Sequence, residues 1–169
     1  MKFETKCLHA GYSPKNGAPR VQPIVQRTTY TYDSAEEIGK LFDLQAAGYF
    51  YTRLANPTTN AAEEKITAIE GGVATMCTAS GQSAVFYAML NILEAGDHFI
   101  SSSYVYGGSY NLFAHTFKKM GIEVTFVDQD LPLEELKKAI RPNTKAVFAE
   151  TIANPALRVL DIEKFAALA

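Results

Sequence analysis

The 169-residue chain contains little of what would define several protein classes. It has no tryptophan, a formal net charge of −2, and two cysteines, Cys7 and Cys77. Two cysteines are too few for a disulfide framework, and no Cys or His pair has the spacing of a zinc site. Mixed charges near neutrality also lack the basic stripe that nucleic-acid binding requires. We therefore expect neither a metal site nor a nucleic-acid partner.

Long apolar runs are also missing. The N-terminus, "MKFETKCLHAG", has no apolar core of a signal peptide. No run approaches the roughly 20 apolar residues of a membrane span. We expect a cytoplasmic protein with no membrane partner. The content of 47% hydrophobic and 20% charged residues is typical of a globular protein.

The first part of the chain has no sustained periodicity. Residues 1–33 contain three prolines and two glycines, which predicts an extended arm. Residues 34–47 predict a short amphipathic helix that starts with a capping box at Ser34. The segment "GYFYTRLANPTTN" then places Tyr51 and Arg53, two good anion ligands, just before an Asn-Pro-Thr helix start. A half-buried strand with a solvated arginine is the alternative for this segment.

From residue 57 onward, helical patterns alternate with short apolar strands. This alternation predicts right-handed crossovers and a mostly parallel sheet with helices on both faces, which is an α/β fold. We expect two regions: an arm with a short helix over residues 1–56, and a sheet domain over residues 57–169. The predicted helices cover 57–72, 81–93, 107–121 and 131–140, and the predicted strands cover 73–79, 97–103, 122–128 and 144–151.

Ligands of open parallel sheets bind at the carboxyl ends of the strands, so the strand-to-helix junctions are the candidate sites. In "TASGQSA", Ser80, Gly81 and Gln82 lie at a helix start, where free amides can hold a phosphate. The segment lacks GxGxxG and GxxxxGK[ST], which disfavours a dinucleotide or a nucleoside triphosphate. A turn with Ser80 as a plain N-cap explains the segment equally well.

Two further junctions carry an aromatic ring and an amide. In "SSSYVYGGSYNLF", Tyr106 precedes Gly107 and Gly108, which allow close approach of a bulky, planar ligand. In "AETIANPAL", Glu150 and Asn154 follow an apolar strand. Taken singly, a rim tyrosine and an Asn-Pro turn are the alternatives. Together, on one edge of a sheet, the three junctions indicate a planar ligand with one phosphate, which pyridoxal 5'-phosphate matches.

Four motifs carry a resemblance to a known family. They closely resemble motifs of the cysteine and methionine metabolism family of fold-type I pyridoxal-phosphate enzymes in both order and spacing. The motifs are "YTRLANPT", "TASGQSA", "YVYGGSYNLF" and "ETIANPALRVLDI". The resemblance implies a large domain like that of aspartate aminotransferase. It also implies a homo-oligomer in which the dimer is the smallest active unit and a tetramer forms. Tyr51 and Arg53 would then reach the phosphate of the cofactor held by a neighbouring subunit.

The same resemblance implies roles within the subunit. The amides of Gly81 and Gln82, after Ser80, would bind the phosphate. Tyr106 would stack on the pyridine ring, and Asn154 would hydrogen-bond the 3'-oxygen of that ring. Glu150 would have a supporting role beside these residues.

The phrase "YGGSYNLF" resembles the O-acetylhomoserine sulfhydrylase branch, because Gly108 stands where the methionine-degrading lyases typically carry a cysteine. This branch consists of transferases of methionine biosynthesis that convert O-acetylhomoserine and sulfide to homocysteine and acetate. A methionine or cystathionine γ-lyase, or a γ-synthase, is the alternative within the family. A free-standing, non-catalytic piece that pairs with other subunits is the alternative from another class.

No lysine of the chain matches the family's Schiff-base lysine, which lies in a Ser/Thr-rich turn well after the Asn-Pro motif. The aspartate that faces the pyridine nitrogen in the family has no counterpart either. The closing segment "LDIEKFAALA" begins a helix at Asp161 but contains no C-cap. We expect the N-terminal portion of a longer enzyme, with an incomplete sheet, no catalytic residue of its own and no activity alone.

Overall fold

The computed structural model describes residues 1–169, which divide by their contacts into two units, 1–77 and 78–169. The first unit contains three helices: α1 (Phe3–His9), α2 (Ala35–Phe42) and α3 (Pro57–Glu70). By contacts α3 therefore groups with the arm. The functional division at residues 56 and 57 remains a prediction.

The N-terminal arm is not wholly extended, because residues 3–9 form α1, which the sequence patterns did not predict. The Nζ atom of Lys6 donates to the carbonyl of Ala68 near the end of α3, at 3.2 Å. The following turn is pressed against α3: a Cβ at Gly11, whose φ is +85°, would lie 2.1 Å from the Ala61 carbonyl oxygen. Tertiary contact with α3 thus stabilises a helix that has no periodic signal of its own.

Side-chain caps define the starts of α2 and α3. The predicted N-cap of α2 is present, since the Ser34 side chain accepts a hydrogen bond from the Glu37 N–H at 3.2 Å, but no hydrogen bond from the Glu37 side chain completes the capping box. The Asn56 side chain accepts from the Thr58 N–H at 2.9 Å, and its Nδ2 donates to the Val25 carbonyl at 3.0 Å. Asn56 is buried, so this cap also ties α3 to the arm.

The second unit is an α/β structure, as the alternating pattern predicts. Its sheet has the order β2-β1-β3, and both pairs of strands are parallel. Along the chain the elements are α4 (Gly81–Leu90), β1 (His98–Ser102), α5 (Gly107–Asn111) with a π-helical continuation (Leu112–Phe117), β2 (Glu123–Val127), α6 (Leu133–Lys137), β3 (Thr144–Phe148) and α7 (Ile162–Leu168).

Helices cover both faces of the sheet. On one face, α4 and the π-helical segment pack against β1, and the rings of Phe99 and Phe113 meet edge to face with centroids 5.0 Å apart. On the other face, α6 and α7 bring Leu136, Phe165 and Leu168 against the strands. None of the helices has both the length and the apolar character needed to span a bilayer.

Residues 73–79 form no strand, contrary to the prediction for this apolar run. Val73 and Met76 are exposed. An apolar segment becomes a strand only when a neighbouring strand accepts and donates its backbone hydrogen bonds. Neither β2, β1 nor β3 pairs with this segment.

A buried histidine at the amino end of β1 crosslinks the three strands. The Nδ1 atom of His98 lies 2.7 Å from Thr144 Oγ1 on β3, and its Nε2 atom lies 2.8 Å from Thr125 Oγ1 on β2. Burial, followed by the guanidinium of Arg141, lowers the pKa of His98 below 6.5, while the Glu123 carboxylate acts in the opposite direction. His98 is therefore a structural residue at the end of the sheet opposite the predicted site.

Candidate functional site

The first junction of the predicted site is the start of α4, which has two unpaired amides. Ser80 is the N-cap: its Oγ accepts from the Ser83 N–H at 3.1 Å, and the Thr78 hydroxyl donates to its carbonyl at 2.8 Å. The N–H groups of Gly81 and Gln82 have no acceptor within the chain. The cap therefore leaves two donors, at the positive end of the helix dipole, available to an anion.

The second junction places the Tyr106 ring beside Gly108. A Cβ at Gly108 would lie 2.5 Å from Cε1 of Tyr106 and 3.4 Å from Cδ of Gln82. Non-bonded carbon atoms pack at about 3.5–4.0 Å, so the ring takes this position only because residue 108 is glycine. Tyr106 is 47% exposed, which leaves much of the ring open to a ligand.

Two polar contacts hold the residues of the site together. The Oε1 atom of Glu150, a half-buried residue, accepts from the Tyr106 N–H at 3.0 Å. The Nε2 atom of Gln82 lies 3.1 Å from the Oγ of Ser109, which is 1% exposed. Ser109 was not among the predicted site residues, because its contact depends on how close α4 and α5 lie to each other. These contacts bring Gln82, Tyr106 and Glu150, from three separate junctions, to one edge of the sheet.

Asn154 lies in a hairpin that follows β3. Ile152 and Val159 form an antiparallel bridge, and the Ala153 N–H donates to the Arg158 carbonyl at 2.9 Å. The Asn154 side chain is exposed and makes no hydrogen bond within the chain. Its carboxamide is therefore free to bind a ligand, but no hydrogen bond joins it to the other candidate residues.

Tyr51 and Arg53 belong to the first unit. The guanidinium carbon of Arg53 lies over the Tyr51 ring, 5.1 Å from its centroid. Arg53 is exposed and has no carboxylate partner. Tyr51 forms a single antiparallel bridge with Thr29 rather than a strand. The segment thus presents a phenol and an unpaired cation side by side, a combination suited to an anion.

The family described as "Cys/Met metabolism PLP-dependent enzyme" matches residues 4–169 of the chain. The chain belongs to this family. An O-acetyl-L-homoserine sulfhydrylase of Leptospira meyeri is 48% identical over 163 residues, which cover 96% of this chain and 37% of the relative. An L-methionine gamma-lyase of Fusobacterium nucleatum subsp. polymorphum is 43% identical over 165 residues, which cover 98% of this chain and 42% of the relative.

A solved structure of the family confirms the fold prediction. The crystal structure of a protein from Campylobacter jejuni, described as an O-acetylhomoserine (thiol)-lyase with N'-pyridoxyl-lysine-5'-monophosphate, superposes with a TM-score of 0.86 at 37% identity. The match covers 100% of this chain and 41% of that one. The chain therefore spans about two fifths of the length of the relatives it matches.

The donor set at the sheet edge fits pyridoxal phosphate, the cofactor of this family. Two free amides at a helix start suit the phosphate, because both N–H groups can donate hydrogen bonds to an anion at the positive end of the helix dipole. An open tyrosine ring suits the face of a pyridine, and a free carboxamide suits the oxygen on that ring. The predicted cofactor is confirmed through the family, while the roles of single residues remain predictions.

Proposed function

We propose that this chain is part of an O-acetylhomoserine sulfhydrylase, an enzyme of methionine biosynthesis. The reaction breaks the bond between the substrate's γ-carbon and the acetate oxygen, and acetate leaves with the bonding electrons. Sulfide supplies the electron pair for the new carbon–sulfur bond, which gives homocysteine.

Gly108 is the observation that carries this proposal. Any side chain at this position would collide with the ring of Tyr106 as it stands, at 2.5 Å. By the family resemblance, the methionine-degrading lyases typically carry a cysteine here. The Tyr106 ring therefore lies in the space that a cysteine side chain would take, which supports the sulfhydrylase pattern. The relative from Leptospira meyeri, described as a sulfhydrylase, supports the same choice.

A γ-lyase is the second candidate. It is favoured by the L-methionine gamma-lyase of Fusobacterium nucleatum, whose identity of 43% is only slightly lower than that of the sulfhydrylase. A cystathionine gamma-lyase of Lactobacillus plantarum also superposes with a TM-score of 0.83 at 35% identity.

The candidate site residues of the second unit have proposed roles toward the cofactor. When bound, pyridoxal phosphate supplies an electron sink for the bonds that break at the substrate. The Gly81 and Gln82 amides bind the phosphate, and the Ser80 cap keeps those amides at the helix start. Tyr106 packs against the pyridine ring, and Asn154 donates to the ring oxygen.

Tyr51 and Arg53 act on a neighbouring subunit in this proposal. Their phenol and guanidinium bind the phosphate of the cofactor that the neighbour holds, so the smallest active assembly is a homodimer, and dimers pair into a tetramer. The exposed, unpaired state of Arg53 supports this role, since an arginine without a carboxylate partner keeps its donors for an anion. A cytoplasmic location belongs to the same proposal.

We further propose that residues 1–169 alone do not catalyse the reaction. The chain has no lysine in a Ser/Thr-rich turn after the Asn-Pro motif, so it offers neither the family's covalent anchor nor its base. The alternative, a non-catalytic piece that pairs with other subunits, would lack this lysine as well. A borohydride-trapped, cofactor-labelled adduct on the 169-residue chain, detected by intact mass, would contradict the proposed inactivity.

Product analysis tests the proposed activity. The full-length protein that contains this chain is loaded with pyridoxal phosphate and given O-acetylhomoserine with and without sulfide, and methionine in a parallel reaction. We expect homocysteine and acetate only when sulfide is present. Release of 2-oxobutyrate from methionine, without sulfide-dependent homocysteine, would show that the lyase is correct instead.

A further inference from the structure

We propose that Glu150 is a positioning residue that fixes the positions of Tyr106 and Asn154 relative to each other at the cofactor site. The inference rests on the proposed function, in which Tyr106 packs on the pyridine ring and Asn154 donates to its oxygen. The carboxylate of Glu150 acts through the protein, since it accepts the backbone N–H of Tyr106 at 3.0 Å.

This hydrogen bond connects two loops that leave neighbouring strands. Tyr106 follows the end of β1 at Ser102, and Glu150 follows the end of β3 at Phe148. The two strands are parallel, with Ser101 opposite Phe148. The carboxylate therefore bridges the two loops at the carboxyl edge of the sheet, where ligands of such sheets bind.

Asn154 is linked to Glu150 through a closed hairpin. The Leu160 N–H donates to the Thr151 carbonyl at 2.9 Å, and the Leu157 N–H donates to the Ala153 carbonyl at 2.8 Å. Ala153 is 1% exposed, so the first half of the hairpin, next to Asn154, is anchored as well. Because the hairpin begins directly after Glu150, a contact that fixes Glu150 also fixes the position of Asn154.

No other group replaces the carboxylate as an acceptor for Tyr106. Tyr106 is the N-cap of α5, so its N–H lies outside the hydrogen bonds of that helix, and Glu150 is its one acceptor in the chain. A charged acceptor also makes this bond stronger than a neutral one would. The ring of Tyr106 is placed separately by Gly108, so loss of Glu150 would release the backbone of Tyr106 without removing the space for its ring.

Three substitutions in the full-length, cofactor-loaded protein test the inference. Glu150→Ala removes the acceptor, Glu150→Asp keeps the charge but shortens the side chain, and Glu150→Gln keeps an oxygen at the same reach. Glu134→Ala is the matched control, because it removes an exposed carboxylate that pairs only with Lys137 on α6. Far-ultraviolet circular dichroism verifies folding in each case.

Two readouts are measured on these variants: hydrogen–deuterium exchange at the Tyr106 amide, and the visible circular dichroism and dissociation constant of bound pyridoxal phosphate. In Glu150→Ala and Glu150→Asp we expect exchange at Tyr106 to be faster by about tenfold or more and the cofactor to bind about tenfold more weakly, with altered dichroism. Glu150→Gln should restore most of both properties, and Glu134→Ala should match the wild type.

Unchanged exchange at Tyr106 in Glu150→Ala overturns the inference, and so does faster exchange with unchanged cofactor dichroism and affinity. A wild-type protein that binds no pyridoxal phosphate overturns the proposed function, and the inference with it. A wild type that binds the cofactor while Glu150→Ala behaves identically overturns only the positioning role. The two failures are therefore distinguishable.

Discussion

Replacement of Gly108 by alanine tests the close contact between residue 108 and the Tyr106 ring. The proposal of a sulfhydrylase rather than a lyase depends on this contact. The new Cβ would lie 2.5 Å from Cε1 and 3.0 Å from Cδ1 of Tyr106. Carbon atoms pack at about 3.5–4.0 Å, so the near edge of the ring must move by about 1 Å or more. Tyr106 is 47% exposed, and its ring is free to move outward instead of forcing the backbone to shift.

The expected change in stability is small. Alanine in place of glycine within a helix contributes about 0.5–1 kcal/mol, while a ring turned away from its preferred rotamer costs about 0.5–1.5 kcal/mol. These terms nearly cancel, so we expect the free energy of unfolding to change by no more than about 1 kcal/mol. The displaced ring should nevertheless alter the visible circular dichroism of bound pyridoxal phosphate and weaken its binding.

Gly107→Ala provides the matched control. It adds the same methyl group to the same helix, but a Cβ at Gly107 meets no atom within 4 Å. Urea unfolding gives the stability of both variants, and a cofactor titration gives the dichroism and the dissociation constant. If Gly108→Ala and Gly107→Ala show the same dichroism and affinity, Gly108 does not control the position of the Tyr106 ring and the reasoning fails.

Three further predictions concern stability. Ser80→Ala removes the cap of α4 and should lower the free energy of unfolding by about 1 kcal/mol in urea titrations; an unchanged value would mean that the cap is not needed. Because the pKa of His98 is lowered in the folded state, the unfolded state binds the proton first as the pH falls below 6.5. Stability should therefore decrease below that pH, as measured by unfolding at a series of pH values, and His98→Asn should reduce the slope. Phe113→Ala empties a fully buried position between the π-helical segment and the sheet and should cost about 3–5 kcal/mol; a loss below 1 kcal/mol in urea unfolding would contradict this packing.

Elements with local signals were predictable from the sequence. The predicted strands agree with β1, β2 and β3 to within three residues at each end, because short apolar runs between helical patterns carry the needed information. The caps at Ser34, Ser80 and Asp161 are present in the structure, since an N-cap depends only on a side chain and the first turn that follows it.

Elements that depend on distant partners were not predictable. Helix α1 forms where prolines and glycines indicated an arm, because its support comes from α3, more than fifty residues away. Residues 73–79 have the composition of a buried strand, yet composition does not supply a pairing strand. At the site, the junctions pointed to Gln82, Tyr106 and Glu150, but the buried Ser109 contact depends on a distance between two helices that no spacing in the sequence reveals.

The strand order has a consequence for how the second unit is assembled during synthesis. β1 is both the middle strand and the first of the three along the chain. When a chain folds as it leaves the ribosome, the middle strand β1 is therefore available before either of the strands that pair with it emerges. This order allows β2 to pair with one edge of β1 and β3 with the other, without inserting a strand between two that are already paired.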